Sequence, residues 1–211
     1  MRLAVFGPTG KTGQHVVQQA LGRGYAVYAV ARRPESVPAR HKNLTVIGGD
    51  VLSPDGWASQ LAGVDAIISA LGGGMQRAPT TIYSAGTSAV VSAMTRNGID
   101  RIAVISAEPA GDWHEAGALK RLLAYPVLQF LFGATYDDMR RMERMLAQSA
   151  VDWTVLRPPY LTDRTPRGRY RLGVDGPLKR AMSISRADLA TALLDAVPDS
   201  RLRRRAIPVA W

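Results

Sequence analysis

Apolar positions along this chain fall into two alternating rhythms. Short runs with apolar residues at nearly every position occur at residues 1–6, 25–31, 44–47, 65–69, 101–106 and 153–156, and such runs read as buried strands. Between them lie longer stretches of mixed polarity that read as helices: 14–21, 54–61, 80–94, 135–149 and 185–197. Ser53 before Pro54 suits a helix start, and Thr135 with Asp138 and Ser185 with Asp188 form capping pairs. Residues 206–209 read as a last short strand, for which Pro208 demands an edge position. The large apolar residues of 119–132 read as a buried helix pair, with a lid or a subunit contact as the alternatives, and Met139, Met142 and Met145 read as core filling. The stretch 164–182, dominated by Arg, Gly and Pro, reads as loops.

Apolar strands alternating with helices predict an α/β fold, a doubly wound parallel sheet covered on both faces by right-handed crossovers. The length of 211 residues suits one domain, 1–211, in which 157–211 contribute substrate-side loops and the last helix. In such a fold, ligands lie over the carboxyl ends of the strands.

The chemistry begins at the first of those ends. Gly7-Pro8-Thr9-Gly10-Lys11-Thr12-Gly13 follows a strand and opens a helix. A helix N-terminus offers unpaired N–H groups and partial positive charge, and a diphosphate satisfies both. Gly7 permits the sharp turn, Gly10 removes a Cβ that would block phosphates, and Gly13 allows close helix–strand packing. The spacing G-x-x-G-x-x-G is not that of a nucleoside-triphosphate loop.

The later strand ends refine this reading. Arg32-Arg33 stand where a carboxylate would bind an unphosphorylated ribose, and guanidinium forks suit the 2′-phosphate of NADP. Asp50 either meets an adenine amino group beside Val51 or serves its own turn, and Leu71-Gly72 permit close approach to a ribose. Ser106 is the candidate catalytic group, as a hydrogen-bond donor to substrate or cofactor; the alternative is a serine bonding its own backbone. Pro159 and Tyr160 fall on the substrate side. Tyr136 and Arg140 keep one-turn spacing, with Arg140 able to lower the phenol's pKa, but they read first as helix-surface residues.

Composition narrows the partners. The net charge is +10, with Arg157, Arg164, Arg167, Arg169, Arg171, Lys179, Arg180 and Arg186 crowding one segment and Arg201, Arg203, Arg204 and Arg205 another. These basic segments lack the interleaved aromatics that stack bases, so a solvated face or the rim of an anionic site is preferred to nucleic acid. No run approaches the length of a membrane span, and residues 1–6 read as a strand rather than a leader. The absence of cysteine excludes thiolate chemistry and suits a cytoplasmic location, and the three scattered histidines form no metal motif. A small-molecule substrate and a monomer or homodimer are expected.

The ordered set Gly7–Gly13, Ala29-Val30-Ala31-Arg32, Gly49-Asp50-Val51, Ala70-Leu71-Gly72, Pro79-Thr80-Thr81 and Pro158-Pro159 resembles the atypical short-chain dehydrogenase/reductases. It is most similar to their NmrA-like, NAD(P)H-binding group and its NADPH-dependent flavin reductase (biliverdin-IXβ reductase) branch. The resemblance implies a Rossmann fold and hydride transfer from NADPH to a flavin or a linear tetrapyrrole, and the substrate expected here is flavin-like, quinone-like or a related conjugated molecule. It implies Gly7, Thr9, Gly10, Lys11, Thr12 and Gly13 at the diphosphate, Arg32 at the 2′-phosphate, Asp50 and Val51 at adenine, and Leu71 and Gly72 at the ribose. Ser106 would lie near the nicotinamide. That branch carries a cysteine where Val104 stands and histidines at Met139 and Tyr160, which implies an altered substrate pocket. The competing expectation is a non-catalytic NADP(H)-sensing protein.

Overall fold

A computed structural model of the chain describes residues 1–73, 78–111, 122 and 125–211. Strands β1 (Arg2–Phe6), β2 (Ala26–Ala31), β3 (Leu44–Gly48), β4 (Ala66–Ser69), β5 (Arg101–Ile105), β6 (Asp152–Arg157), β7 (Tyr160–Thr162), β8 (Arg171–Leu172), β9 (Ser183–Ser185) and β10 (Arg205–Ala210) alternate with helices α1 (Lys11–Gly22), α2 (Ser84–Asn97), α3 (Tyr125–Gln148) and α4 (Arg186–Ala196). Eight strands form one sheet in the order β3-β2-β1-β4-β5-β6-β10-β8. Its pairings are parallel except where β8 runs against β10. β7 and β9 form a separate parallel pair. This is the doubly wound Rossmann architecture that the apolar rhythm predicts, and its order reverses between β1 and β4.

The strands are apolar throughout because both faces are covered. Leu3 and Val5 of β1 point to one face and pack with Val16, Val17 and Ala20 of α1 and Leu189 and Leu193 of α4. Ala4 and Phe6 point to the other, packing with Val90 and Met94 of α2 and Met142 and Leu146 of α3. The period-2 side-chain alternation of a strand thus feeds two cores rather than one core and solvent. Met139 and Met142 are buried, and Met145 packs against the same core.

Several elements depart from the expected boundaries. Residues 54–61 form two 3₁₀ turns, Pro54–Gly56 and Ala58–Leu61, rather than a helix, and no side chain caps Pro54. Between them Trp57 leaves helical geometry to bury its ring against Phe6 and donate from Nε1 to the Asp50 carbonyl at 2.7 Å. Helix α2 starts later than expected and runs to a left-handed Gly98 (φ +65°). Helix α3 starts earlier, at Tyr125, and carries non-helical Phe132 (φ −134°, ψ 15°) shortly before the expected start at Thr135. From Tyr125 onward the expected buried helix pair is not seen: Val127 and Phe130 are exposed, while residues 112–121, 123 and 124 lie outside the described ones. Pro208 lies in an inner strand, not at an edge. Its carbonyl accepts from Gly173 N–H on the side of β8, which pairs only through Arg171 and Leu172, so a missing N–H is tolerated there.

The two capping pairs diverge. Ser185 caps α4 as expected, its Oγ accepting from Asp188 N–H at 3.0 Å. Thr135 lies inside α3 and its hydroxyl caps nothing among the described residues, while Asp138 caps a different helix. The buried Asp138 carboxylate accepts from the backbone N–H groups of Tyr83 (2.9 Å) and Ser84 (3.3 Å), from the Ser84 hydroxyl, and from Arg141 (3.2 Å). Asp138 therefore ties α3 to the start of α2. Asp188 does similar work at the far end, accepting from Arg167 N–H (2.9 Å), Gly168 N–H (3.1 Å), Ser185 Oγ (2.8 Å) and Trp211 Nε1 (2.6 Å). Among the described residues no helix is long and apolar enough to cross a membrane.

Removing the Asp138 carboxylate leaves the N–H groups at the start of α2 buried and unpaired. Asp138→Ala is expected to lower the unfolding free energy by about 2–4 kcal/mol in urea denaturation. Burial pushes the Asp188 carboxyl up, but its N–H and O–H donors outweigh that and hold it below the usual carboxylate value. A depressed folded pKa contributes stability above the unfolded value of about 3.9 and loses it as pH falls through the folded one. The stability gap between wild type and Asp188→Asn therefore narrows as pH drops below about 4 in urea titrations.

Candidate functional site

A cleft of about 830 Å³ opens over the carboxyl ends of the parallel strands. Phe6, Ala31 and Ile105 at the ends of β1, β2 and β5 form its floor, with Ala70 just past β4. It thus lies over the reversal of strand order, the place such sheets bind ligands.

One end of the cleft is a cradle built from local sequence. Gly7 turns the chain at φ +74°, and a Cβ there would sit 2.4 Å from the Ala70 carbonyl oxygen. Gly13 packs α1 onto the turn, where a Cβ would lie 2.0 Å from the Gly7 carbonyl oxygen. Gly10 differs: its conformation (φ −70°, ψ 155°) is open to any residue, and a Cβ would meet only the Gly7 oxygen at 3.4 Å. Its missing side chain leaves space on the cleft side, not room for the protein's own packing. Gly10 is the N-cap of α1 and no side chain caps that end, so the first-turn N–H groups remain as donors.

Of the residues singled out from sequence, Gly7, Thr9, Gly10, Lys11, Thr12, Arg32, Val51, Leu71, Gly72, Ser106, Pro159 and Tyr160 line this one cleft. Gly13 and Asp50 do not: Gly13 serves helix packing, and Asp50 Oδ1 accepts from Leu52 N–H at 3.0 Å within its own turn while Gly49 and Val51 face the cleft. Arg32 is exposed and forms no hydrogen bond or ion pair among the described residues. Lys11 Nζ and Arg186 Nη1 both hold the exposed Asp163 carboxylate, at 2.6 and 2.5 Å, which keeps its pKa below the usual value. Ser106 is 2% exposed, and its Oγ is buried without a hydrogen-bond partner among the described residues, so it does not bond its own backbone.

The opposite wall comes from α3. Leu128, Phe132, Thr135, Tyr136 and Met139 recur at helical spacing along one face and line the cleft with Tyr83 and Tyr125. Tyr136 is therefore a cleft residue rather than a helix-surface one. Burial, with a smaller effect of Tyr83, pushes its phenol up. Arg140 does not lower it, and its guanidinium reaches Asp137 at 2.5 Å and the Pro109 carbonyl at 3.1 Å. Burial also raises the phenols of Tyr83 and Tyr125, the latter with a further push from Glu108. All three phenols stay protonated at neutral pH, and that of Tyr83 accepts from Gly73 N–H at 3.4 Å. The helical spacing was visible in sequence, but it does not tell a face turned to a cleft from one turned to core.

A family model described as NAD(P)H-binding matches residues 7–200. The chain belongs to the NAD(P)H-binding family. An uncharacterized chloroplastic protein of Arabidopsis thaliana is 28% identical over 206 residues, which span 93% of this chain and 71% of that protein. A short-chain dehydrogenase/reductase of Veillonella parvula, solved in complex with NADP, matches with a TM-score of 0.83 at 17% identity, covering 100% of this chain and 94% of its own. ChuY, an anaerobillin reductase from Escherichia coli O157:H7, matches with a TM-score of 0.82 at 21% identity, covering 100% and 97%. At such identities these structures show the shared fold.

The residues present fit an NAD(P)H molecule: an uncapped helix start for the diphosphate, open space at Gly10, and an orphaned buried hydroxyl at Ser106. Because Gly10 is free of packing, its role separates from folding. Gly10→Ala shifts stability by less than about 1 kcal/mol in urea denaturation. The same variant is expected to weaken NAD(P)H binding by at least about tenfold in calorimetry, if the methyl enters space that a diphosphate would occupy.

Proposed function

We propose that the protein is an NADPH-dependent reductase of a planar, conjugated small molecule of flavin-like or quinone-like character. The observation that carries this reading is that one cleft is lined by a glycine-turn cradle, by an exposed Arg32 and a Ser106 hydroxyl that have no partner among the described residues, and by an aromatic wall.

On this reading the first-turn N–H groups of α1, with Lys11 and Thr12, bind the diphosphate, and Arg32 pairs with the 2′-phosphate. Val51, Leu71 and Gly72 lie along the adenosine. When bound, NADPH supplies a hydride to the electron-poor ring of the substrate and leaves as NADP⁺. Solvent supplies the proton that completes reduction, so the protein needs no dedicated acid. Ser106 at the end of β5 orients the reacting groups, and Pro159 and Tyr160 hold the substrate from the side of residues 157–211. Leu128, Phe132 and Met139 exclude water and offer flat apolar surface to a conjugated ring. That one structural neighbour is an anaerobillin reductase supports the reductase reading. A chain without cysteine suits a reducing cytoplasm.

Loss of NADPH absorbance on adding FMN, riboflavin or menadione tests the reaction. Turnover with at least one of them is expected; tight NADPH binding without turnover points instead to a cofactor sensor. Arg32→Ala is expected to weaken NADPH by about tenfold or more while leaving NADH within about twofold, measured by calorimetry with both nucleotides. Equal effects on the two would remove Arg32 from the 2′-phosphate.

A further inference from the structure

Five buried polar side-chain atoms lack a hydrogen-bond partner among the described residues: Thr87 Oγ1, Ser106 Oγ, Thr135 Oγ1, Trp153 Nε1 and Thr162 Oγ1. Of these, Ser106 and Thr135 belong to residues that line the cleft. Ser106 already has a role above. Thr135 has none, and the sequence suggested a different one, the cap of a helix that in fact starts earlier.

A buried threonine inside a helix normally meets its need for a hydrogen bond by donating to the carbonyl three or four residues before it. For Thr135 those carbonyls belong to Phe132 and Leu131. Phe132 is the residue at which α3 departs from helical geometry, with φ −134° and ψ 15°, and Thr135 Oγ1 bonds neither carbonyl. The side chain is 7% exposed, and solvent access is correspondingly small. A valine would fill the same volume without burying an unpaired hydroxyl. Packing alone therefore gives no reason for a threonine here. Thr135 lines the cleft with Leu128, Phe132, Tyr136 and Met139, its hydroxyl buried in an apolar setting in which a hydrogen bond to a ligand is strengthened.

We propose that Thr135 is a substrate-binding residue whose hydroxyl, together with that of Ser106, donates to a carbonyl oxygen of the ring that accepts the hydride. The assignment rests on the reductase reading above. A carbonyl conjugated to the accepting ring gains negative charge as the hydride arrives, and a donor fixed in an apolar wall stabilises that charge. The protein would then select carbonyl-bearing acceptors, flavins and quinones, over planar acceptors of similar size that lack one.

The test compares wild type, Thr135→Val and Thr135→Ser as full-length proteins. Thermal unfolding and calorimetry with NADPH report folding and cofactor affinity. Quenching of FMN fluorescence in the presence of NADP⁺ reports substrate binding without turnover. Steady-state rates with menadione, which has carbonyls, and methylene blue, which has none, report selectivity. Thr135→Val is expected to unfold at or above the wild-type temperature and to bind NADPH as wild type does. Its FMN binding is expected to weaken by about tenfold, and its loss of kcat/KM to be larger with menadione than with methylene blue, with Thr135→Ser recovering most of both. Wild-type FMN binding in Thr135→Val would overturn the assignment while leaving the reductase reading intact. A lowered unfolding temperature together with weakened NADPH binding would also overturn it, by showing the hydroxyl to be structural. If wild type binds NADPH but neither binds FMN nor reduces either dye, both this inference and the reductase reading fall.

Discussion

Helix α1 can lie where it does because Gly13 carries no side chain: a Cβ at that position would overlap the Gly7 carbonyl oxygen at 2.0 Å. The same turn depends on Gly7, whose left-handed φ of +74° and closeness to the Ala70 carbonyl exclude any other residue. These two contacts bring the helix start against the end of β1 and alongside the end of β4. The carboxyl ends of the central strands and an uncapped set of N–H donors then share one space. The remainder of the cleft is arranged around that point, since the strand order reverses there and the connections leave on opposite faces.

The two ends of the cleft are held by different physics. The cradle is polar and local, made from consecutive residues whose backbone N–H groups no side chain caps. The facing wall is apolar and assembled from a distance. Asp138, buried in α3, satisfies the N-terminal N–H groups of α2 and so sets where Tyr83 sits. Arg157, at the end of β6, pairs with Glu143 of α3 in a largely buried contact (20% and 11% exposed), which holds the helix against the sheet. N-terminal to both anchors α3 leaves helical geometry at Phe132, and residues on either side of that point line the cleft. A charged group buried with its donors tolerates little displacement, because leaving it unpaired costs more than the pair contributes.

Charge is distributed to match. Lys11 and Arg186 share the Asp163 carboxylate at the rim, and the interaction joins the cradle to the segment after β7. All three side chains are at least partly exposed, so salt screens this contact and an anionic ligand can compete for the cations. Much of the remaining positive charge is engaged with the fold. Arg101 donates to the Ala196 and Val197 carbonyls at the end of α4, and Arg204 to carbonyls of residues 147–151. The net charge of +10 therefore reflects structural arginines as well as a binding rim.

Features that depend on neighbours along the chain could be read from it directly. Strands apolar at every position imply burial on both faces, and a glycine triplet between strand and helix implies an anion cradle, because both follow from backbone geometry over a few residues. The Ser185–Asp188 cap was legible for the same reason. Contacts between distant segments governed the rest. Asp138 looked like half of a local cap, yet its partners lie 54 and 55 positions away in α2. Trp57 broke a predicted helix because burial against Phe6 outweighed local propensity. Pro208 entered an inner strand because its neighbour there is too short to need the missing N–H. Thr135 read as a helix cap and Tyr136 as a helix-surface residue, yet both line the cleft from inside a helix that starts earlier. Helical periodicity shows that a face is covered; what covers it depends on packing among segments far apart in the chain.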